Sequence, residues 1–215
     1  LTLSGGEIFS DGKSLMALSE LARIVHFRQD TLPSDVDCEM NVTRHFLPRK
    51  FPYFMANGIQ ASYLEVDLGT GAIKLLDHWV VEDCGLVVNP LLVDEQLRGG
   101  IVQGLGAVLY EHCLYDSSGQ ILTASLADYA VPLASEMPDI HVVHVENPTS
   151  GTGLGAKGAG EAGTLGAPAA VWCAVNDALR PLGAQVWKQP FTAAHIIEAL
   201  RSANCPQEAS ELFEN

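Results

Sequence analysis

Between residues 155 and 168 the chain reads Gly-Ala-Lys-Gly-Ala-Gly-Glu-Ala-Gly-Thr-Leu-Gly-Ala-Pro. One lysine, Lys157, and one glutamate, Glu161, stand in a run made almost wholly of small residues. Glycine lets backbone N–H groups come close to a ligand and permits positive φ. The carboxylate of Glu161 is therefore expected to lie against something bulky that bare backbone holds. A carboxylate so placed, short of water, is a candidate general base. The plainer reading is an i,i+4 ion pair of Lys157 with Glu161 on a helix surface, a common and weak feature. The glycines count against it, since few stable helices read Gly-Ala-Lys-Gly-Ala-Gly.

At 215 residues and 47% hydrophobic content, the chain can bury a core for one large domain or two small ones. Its net charge of -14 argues against a nucleic-acid backbone or an anionic membrane as partner. Membrane association is expected only peripherally, through a larger complex. Five scattered cysteines without a Cys-x-x-Cys pair suit reduced thiols and a cytoplasmic location better than a disulfide framework. The chain starts at Leu1 in what reads as a strand and turn already under way, as in a piece of a longer polypeptide.

Residues 1–58 read as a connector with one helix that packs on missing or partner polypeptide. Leu15 to Phe27 has helical spacing with Ser14 as a candidate cap, and Asp30 to Pro52 is aperiodic. Residues 59–205 read as the main domain and 206–215 as an acidic tail. Ile59–Asp67 and Ile73–Glu82 alternate around Leu68-Gly-Thr-Gly71, an antiparallel hairpin pattern. Leu91–Tyr115 has a helical pattern containing Gly99, Gly100, Gly104 and Gly106. Each glycine there costs up to about 1 kcal/mol relative to alanine, so close packing or backbone approach to a ligand must explain them. Ile140–Glu146 reads as a strand and Ala162–Leu179 as a second small-residue helix, with Pro168 near its start or at a kink. Ala184–Lys188 reads as a short strand, and Thr192 as the cap of a last helix.

Several motifs admit more than one reading. Gln103-Gly-Leu-Gly106 offers an amide aimed at a polar heterocycle, or simply a tight helix–helix contact. Gly153/Gly155/Gly158 and Gly158/Gly160/Gly163 each match Gly-x-Gly-x-x-Gly. A dinucleotide fingerprint wants an immediate strand-to-helix turn and a later acidic residue, and Lys188 stands where that acid belongs. His141 and His144 are three apart on a presumed strand and so point to opposite faces. His78, Asp83 and Cys84 are close in sequence but lack a second ligand pair, and read as structural or surface residues rather than metal ligands.

Taken in order, Asp83-Cys-Gly85, Asn89-Pro90, Gln96-Leu-Arg-Gly99, Gln103-Gly-Leu-Gly106, Asp128-Tyr129 with Pro132, Gly155-Ala-Lys157, Gly160-Glu161 and Ala174-Val-Asn-Asp-Ala178 form a set. The set resembles the C-terminal part of the molybdenum-binding large subunit of the xanthine dehydrogenase/aldehyde oxidase/aerobic carbon monoxide dehydrogenase family. Ala156 before Lys157 is closer to the bacterial carbon-monoxide-dehydrogenase-like branch, since the eukaryotic xanthine oxidases usually carry Ser-Lys there.

The resemblance implies an α+β fold, with a mixed or antiparallel sheet and Gly-rich helices whose N-termini suit the anionic pyrophosphate of a pterin dinucleotide. It implies a molybdenum hydroxylase that adds water-derived oxygen to an electrophilic carbon or carbonyl substrate. Glu161 matches the family's general base. Gln103, Gly104, Lys157, Gly158, Ala159 and Gly160 match cofactor-contacting positions. The molybdenum would be held by the pterin dithiolene, in the cytosine dinucleotide form, so no protein metal site is expected. The 2Fe-2S clusters and FAD would sit on partner domains or subunits, and the upstream half of the molybdenum subunit is also absent from this chain. The isolated chain is therefore not expected to turn over a small-molecule substrate. Two readings from other classes remain at this stage: a nucleotide-binding domain using the overlapping glycine loops, and a non-catalytic assembly piece.

Overall fold

A computed structural model describes residues 1–36, 39–47 and 53–203. The acidic tail expected at 206–215 lies outside the described residues. The chain divides into two units, residues 1–47 and 48–215.

The first unit is more ordered than a connector. Strands β1 (Thr2–Ser4), β2 (Glu7–Ser10) and β3 (Lys13–Ala17) form an antiparallel meander. Its turns fall at Gly5-Gly6 and Asp11-Gly12, all four with positive φ, the handedness that tight two-residue hairpins require. Helix α1 spans Leu18–Phe27. The helical spacing expected from Leu15 starts three residues late, because Lys13–Ala17 pairs with β2 instead. Ser14 is not a cap: its hydroxyl donates to Glu7 Oε2 across the sheet at 2.7 Å. Beyond a short 3-10 turn at Gln29–Thr31, no regular element occurs over 39–47.

The second unit is built on a three-stranded mixed sheet. Strands β4 (Asn57–Val66) and β5 (Ile73–Asp83) form the expected hairpin, and β6 (Ile140–His144) adds parallel to β5. Asp67 Oδ1 accepts from the Gly69 and Thr70 N–H groups to shape the turn. Three helices complete the unit: α2 (Pro90–Leu109), α3 (Ala162–Leu179) and α4 (Ala193–Ser202). Asn89 caps α2 and Thr192 caps α4. The core is apolar and fully buried at Val80, Ile101, Leu105, Val108, Val171, Val175, Leu179 and Ile196.

Three expectations need correction here. Helix α2 stops at Leu109, not Tyr115; Tyr110 and Glu111 N–H groups both close on the Gly106 carbonyl. Residues 184–188 form no strand. The Asn176 side chain takes the place of a strand partner, accepting from Val186 N–H at 2.8 Å and donating to its carbonyl at 3.1 Å. The unit also begins before residue 59, since Gly158 N–H donates to Phe54 O and Met55 bridges to Gly158.

Gly100 and Gly104 of α2 and Gly163 of α3 have one shared explanation. A Cβ at Gly163 would collide with the Leu97 carbonyl, and one at Gly100 would sit 3.1 Å from Thr164 N. At Gly104 it would lie 2.8 Å from Thr164 O and 2.9 Å from Ala167 Cβ. Removal of side chains at these crossings lets the backbones of α2 and α3 approach closely, which large side chains forbid.

Candidate active site

The loop 145–161 runs from the end of β6 to the start of α3. Its glycine-rich end is fastened to the end of β5 on several sides. Lys157 N–H donates to Cys84 O at 2.7 Å, Leu86 N–H to Gly155 O at 3.2 Å, and Gly158 N–H to Phe54 O at 2.7 Å. Gly85 has positive φ and a Cβ there would strike the Gly155 carbonyl. Only glycine lets the two strands of backbone meet at this point.

The Lys157 ammonium turns inward and donates to Asp83 Oδ2 at 2.7 Å, with both side chains largely buried. Asp83 also accepts from Gly85 N–H at 2.9 Å and Asn147 N–H at 3.3 Å. The hydrogen bond from Lys157 and that from Gly85 hold the Asp83 carboxyl below its usual range. Lys157 and Glu161 do not pair: the lysine is committed to β5 and the glutamate is exposed. The neighbouring Glu82 is buried, and burial and the Asp83 charge raise its pKa. Burial likewise pushes the Cys84 thiol up, away from reactive thiolate character.

From the other side, α2 holds the same loop. Gln96 Nε2 donates to the Gly160 carbonyl at 2.7 Å. About two turns further on, Gln103 Oε1 accepts from Thr164 Oγ1 at 3.3 Å. Thr164 N–H in turn donates to the Glu161 carbonyl at 3.1 Å. Gln103 and Glu161 are thus brought to the same end of α3, with Thr164 between them. Both side chains are exposed on this chain.

Glu161 is the N-cap residue of α3 and makes no side-chain cap bond. Its carboxylate is left for other work. Among the described residues the N–H groups of Ala159, Gly160 and Glu161 find no acceptor. Gly160 faces open space, with nothing within 4 Å of an added Cβ. Unpaired N–H groups at a helix start suit an anionic ligand, and the bare surface at Gly160 suits a large one.

Two of the expected cofactor contacts also have partners within the protein. Gly104 is buried beneath α3, where its missing side chain serves helix packing. The Lys157 side chain serves as a loop anchor. Gln103, Gly158, Ala159 and Gly160 remain at the accessible rim. Asp83 and Gln96 belong to the ordered motif set, but the sequence does not mark them as site residues, because the contact of each is 74 or 64 residues away. His141 and His144 do point to opposite faces. His141 stacks on Trp79 and pairs with Asp77 at 2.9 Å, while His144 pairs with Asp94 of α2 at 2.6 Å. The dinucleotide reading lacks its immediate turn: the 145–161 loop intervenes, and 184–188 is not a strand.

An anion-receptive helix start, a carboxylate beside it and a glycine loop pinned to a mixed sheet make a site that can receive an anionic cofactor. Residues 1–138 match the family described as the molybdopterin cofactor-binding domain, and the chain belongs to that family. It is 35% identical over 210 residues to the nicotine 6-hydroxylase large subunit of Paenarthrobacter nicotinovorans, covering 96% of this chain and 26% of that one. It is 27% identical to the carbon monoxide dehydrogenase large chain of Hydrogenophaga pseudoflava, covering 80% and 21%. The crystal structure of quinoline 2-oxidoreductase from Pseudomonas putida 86 matches with a TM-score of 0.73 and 37% identity, over 86% of this chain and 23% of that one. The chain therefore spans about a quarter of the length of these relatives. The expected family and the expected α+β fold both hold. No helix among the described residues is long and apolar enough to cross a membrane.

Proposed function

We propose that this chain forms the general-base portion of a molybdenum hydroxylase, with Glu161 as the base. The observation that carries the proposal is the free carboxylate of Glu161 at the start of α3, beside unpaired backbone N–H groups and the Gln103 amide. The molybdopterin, in its cytosine dinucleotide form, would supply the redox chemistry that no side chain here provides. The residues of this chain would do the rest. The N–H groups of Ala159 and Gly160 would receive anionic oxygens of the cofactor, and the Gln103 amide would donate to its polar edge. Gly158 and Gly160 would keep side-chain bulk away from that face. Glu161 would take the proton from a water-derived oxygen as that oxygen attacks an electrophilic carbon, which requires hydrogen-bond reach of about 3 Å.

Identity is higher to enzymes named for nicotine and quinoline than to carbon monoxide dehydrogenase. That favours a nitrogen heteroaromatic substrate, whose ring carbon next to nitrogen is electrophilic. Iron–sulfur and flavin subunits would carry the electrons away, and the whole assembly would be cytoplasmic.

The test is metal and nucleotide analysis of the complete enzyme that contains this chain. The proposal expects molybdenum with releasable cytidine monophosphate, lowered occupancy in Gln103→Ala, and no binding of NAD to the chain's own glycine loop. Tight NAD binding that Gly160→Val abolishes, in a protein without molybdenum, would favour the dinucleotide reading instead.

A further inference from the structure

Helix α3 presents Glu161, and one polar group on the sheet grips its first turn. Gln60 of β4 sends its amide nitrogen to the Gly163 carbonyl at 2.9 Å and to the Ala162 carbonyl at 3.4 Å. Its amide oxygen meets His78 Nε2 at 3.1 Å. His78 Nδ1 meets Ser62 Oγ at 2.9 Å, directly across the β4–β5 ladder.

The bond directions in this chain follow from chemistry. The two helix carbonyls can only accept, so the Gln60 nitrogen faces them and its oxygen faces His78. That oxygen also only accepts, so His78 carries its proton on Nε2. Nδ1 is then an acceptor, and the Ser62 hydroxyl donates to it. The relay runs one way, from Ser62 through His78 and Gln60 to the first turn of α3. His78 has no solvent exposure, and burial holds its pKa down at about 4, so it is neutral and keeps this single tautomer.

The helix is shaped to receive the relay. A Cβ on Gly166 would lie 2.8 Å from Gln60 Cδ and 2.9 Å from its Nε2. Glycine at 166 therefore makes the room in which the Gln60 amide reaches the helix carbonyls. Ordinary packing of β4 against α3 needs neither the amide nor the buried histidine behind it. This polar chain is part-buried around a fully buried His78; with every member paired it favours one arrangement, since a slip leaves the buried imidazole without its partners.

We propose that Gln60 is a positioning residue for Glu161: with His78 and Ser62 behind it, it fixes the first turn of α3 and hence the place of the carboxylate at its start. The inference rests on the reading of Glu161 as the base.

The test uses Gln60→Met in the complete enzyme, which keeps the side-chain length and removes both sets of hydrogen bonds. Hydrogen–deuterium exchange over 162–168 should accelerate roughly tenfold while 193–202 is unchanged, as local loosening requires. Molybdenum content should stay at the wild-type level, and kcat should fall roughly tenfold or more with KM little changed, the signature of a misplaced base. Ser62→Ala, a smaller change, should move exchange and kcat in the same direction and by less; it decides the matter if Gln60→Met does not fold. Unchanged exchange over 162–168 would overturn the proposal, as would faster exchange with wild-type kcat. The Glu161→Gln variant separates the two readings. If its turnover matches the wild type, the base assignment fails, whatever exchange shows for Gln60.

Discussion

Asp83 Oδ2 and Lys157 Nζ lie 2.7 Å apart, and this ion pair ties the end of β5 to the loop that leads to Glu161. The lysine in the glycine-rich run therefore acts first on protein geometry. If the pair works as a unit, Asp83→Asn and Lys157→Met in the complete enzyme should each lower kcat by roughly tenfold or more, because displacement of a reacting group by about 1 Å is that costly. The double variant should be little worse than either single one, as coupled neighbours require. Steady-state kinetics on the three variants checks this. Additive losses would mean that Lys157 has a task independent of Asp83.

Close approach of α2 and α3 makes a prediction about stability with opposite signs at adjacent glycines. Gly163→Ala and Gly104→Ala should each destabilise by about 1–3 kcal/mol, since an added methyl meets backbone of the facing helix. Gly99→Ala should stabilise by about 0.5–1 kcal/mol, because an added Cβ there meets nothing and α2 gains a better helix former. Thermal denaturation of the three variants gives the comparison. A destabilised Gly99→Ala would point to a surface that is covered in the assembled protein.

His78 gives a pH dependence with a definite sign. Its pKa is lowered from 6.5 to about 4 by burial. As pH falls below about 6.5 the unfolded chain takes up a proton that the folded chain refuses, so stability is lost between pH 6.5 and 4. The loss amounts to about 3 kcal/mol in all. His78→Gln removes this contribution. The variant should be less stable than the wild type at pH 7, and the gap should narrow steadily toward pH 4. Melting temperatures measured across that range would show it; a gap that widens on acidification would contradict a buried neutral His78.

Helix α3 could be read from the chain to the residue, and the β4–β5 hairpin nearly so, because period and turn residues are local signals. Glu161 and Gln103 stood out through their glycine surroundings, and the structure brings them to one end of α3. What the chain did not disclose is pairing at long range. The parallel addition of β6 to β5, the reach of Lys157 to Asp83 and that of Gln60 to Gly163 join residues far apart, with no periodic trace. Leu15–Ala17 misled for a related reason: its spacing fits a helix, yet the Asp11-Gly12 turn folds it back as a strand. Val186 misled in the other direction, since Asn176 satisfies its backbone without any sheet. Gly104 shows that a glycine beside a site can answer to the packing of a neighbouring helix.

Glu161 as proton acceptor is tested most directly by the turnover of Glu161→Gln in the complete enzyme, normalised to its molybdenum content. The substitution keeps size and polarity but removes the basic carboxylate. Loss of general-base assistance should lower kcat by roughly 100-fold to 10,000-fold, with molybdenum occupancy equal to that of the wild type. A fully loaded Glu161→Gln enzyme that turns over at the wild-type rate would contradict the account.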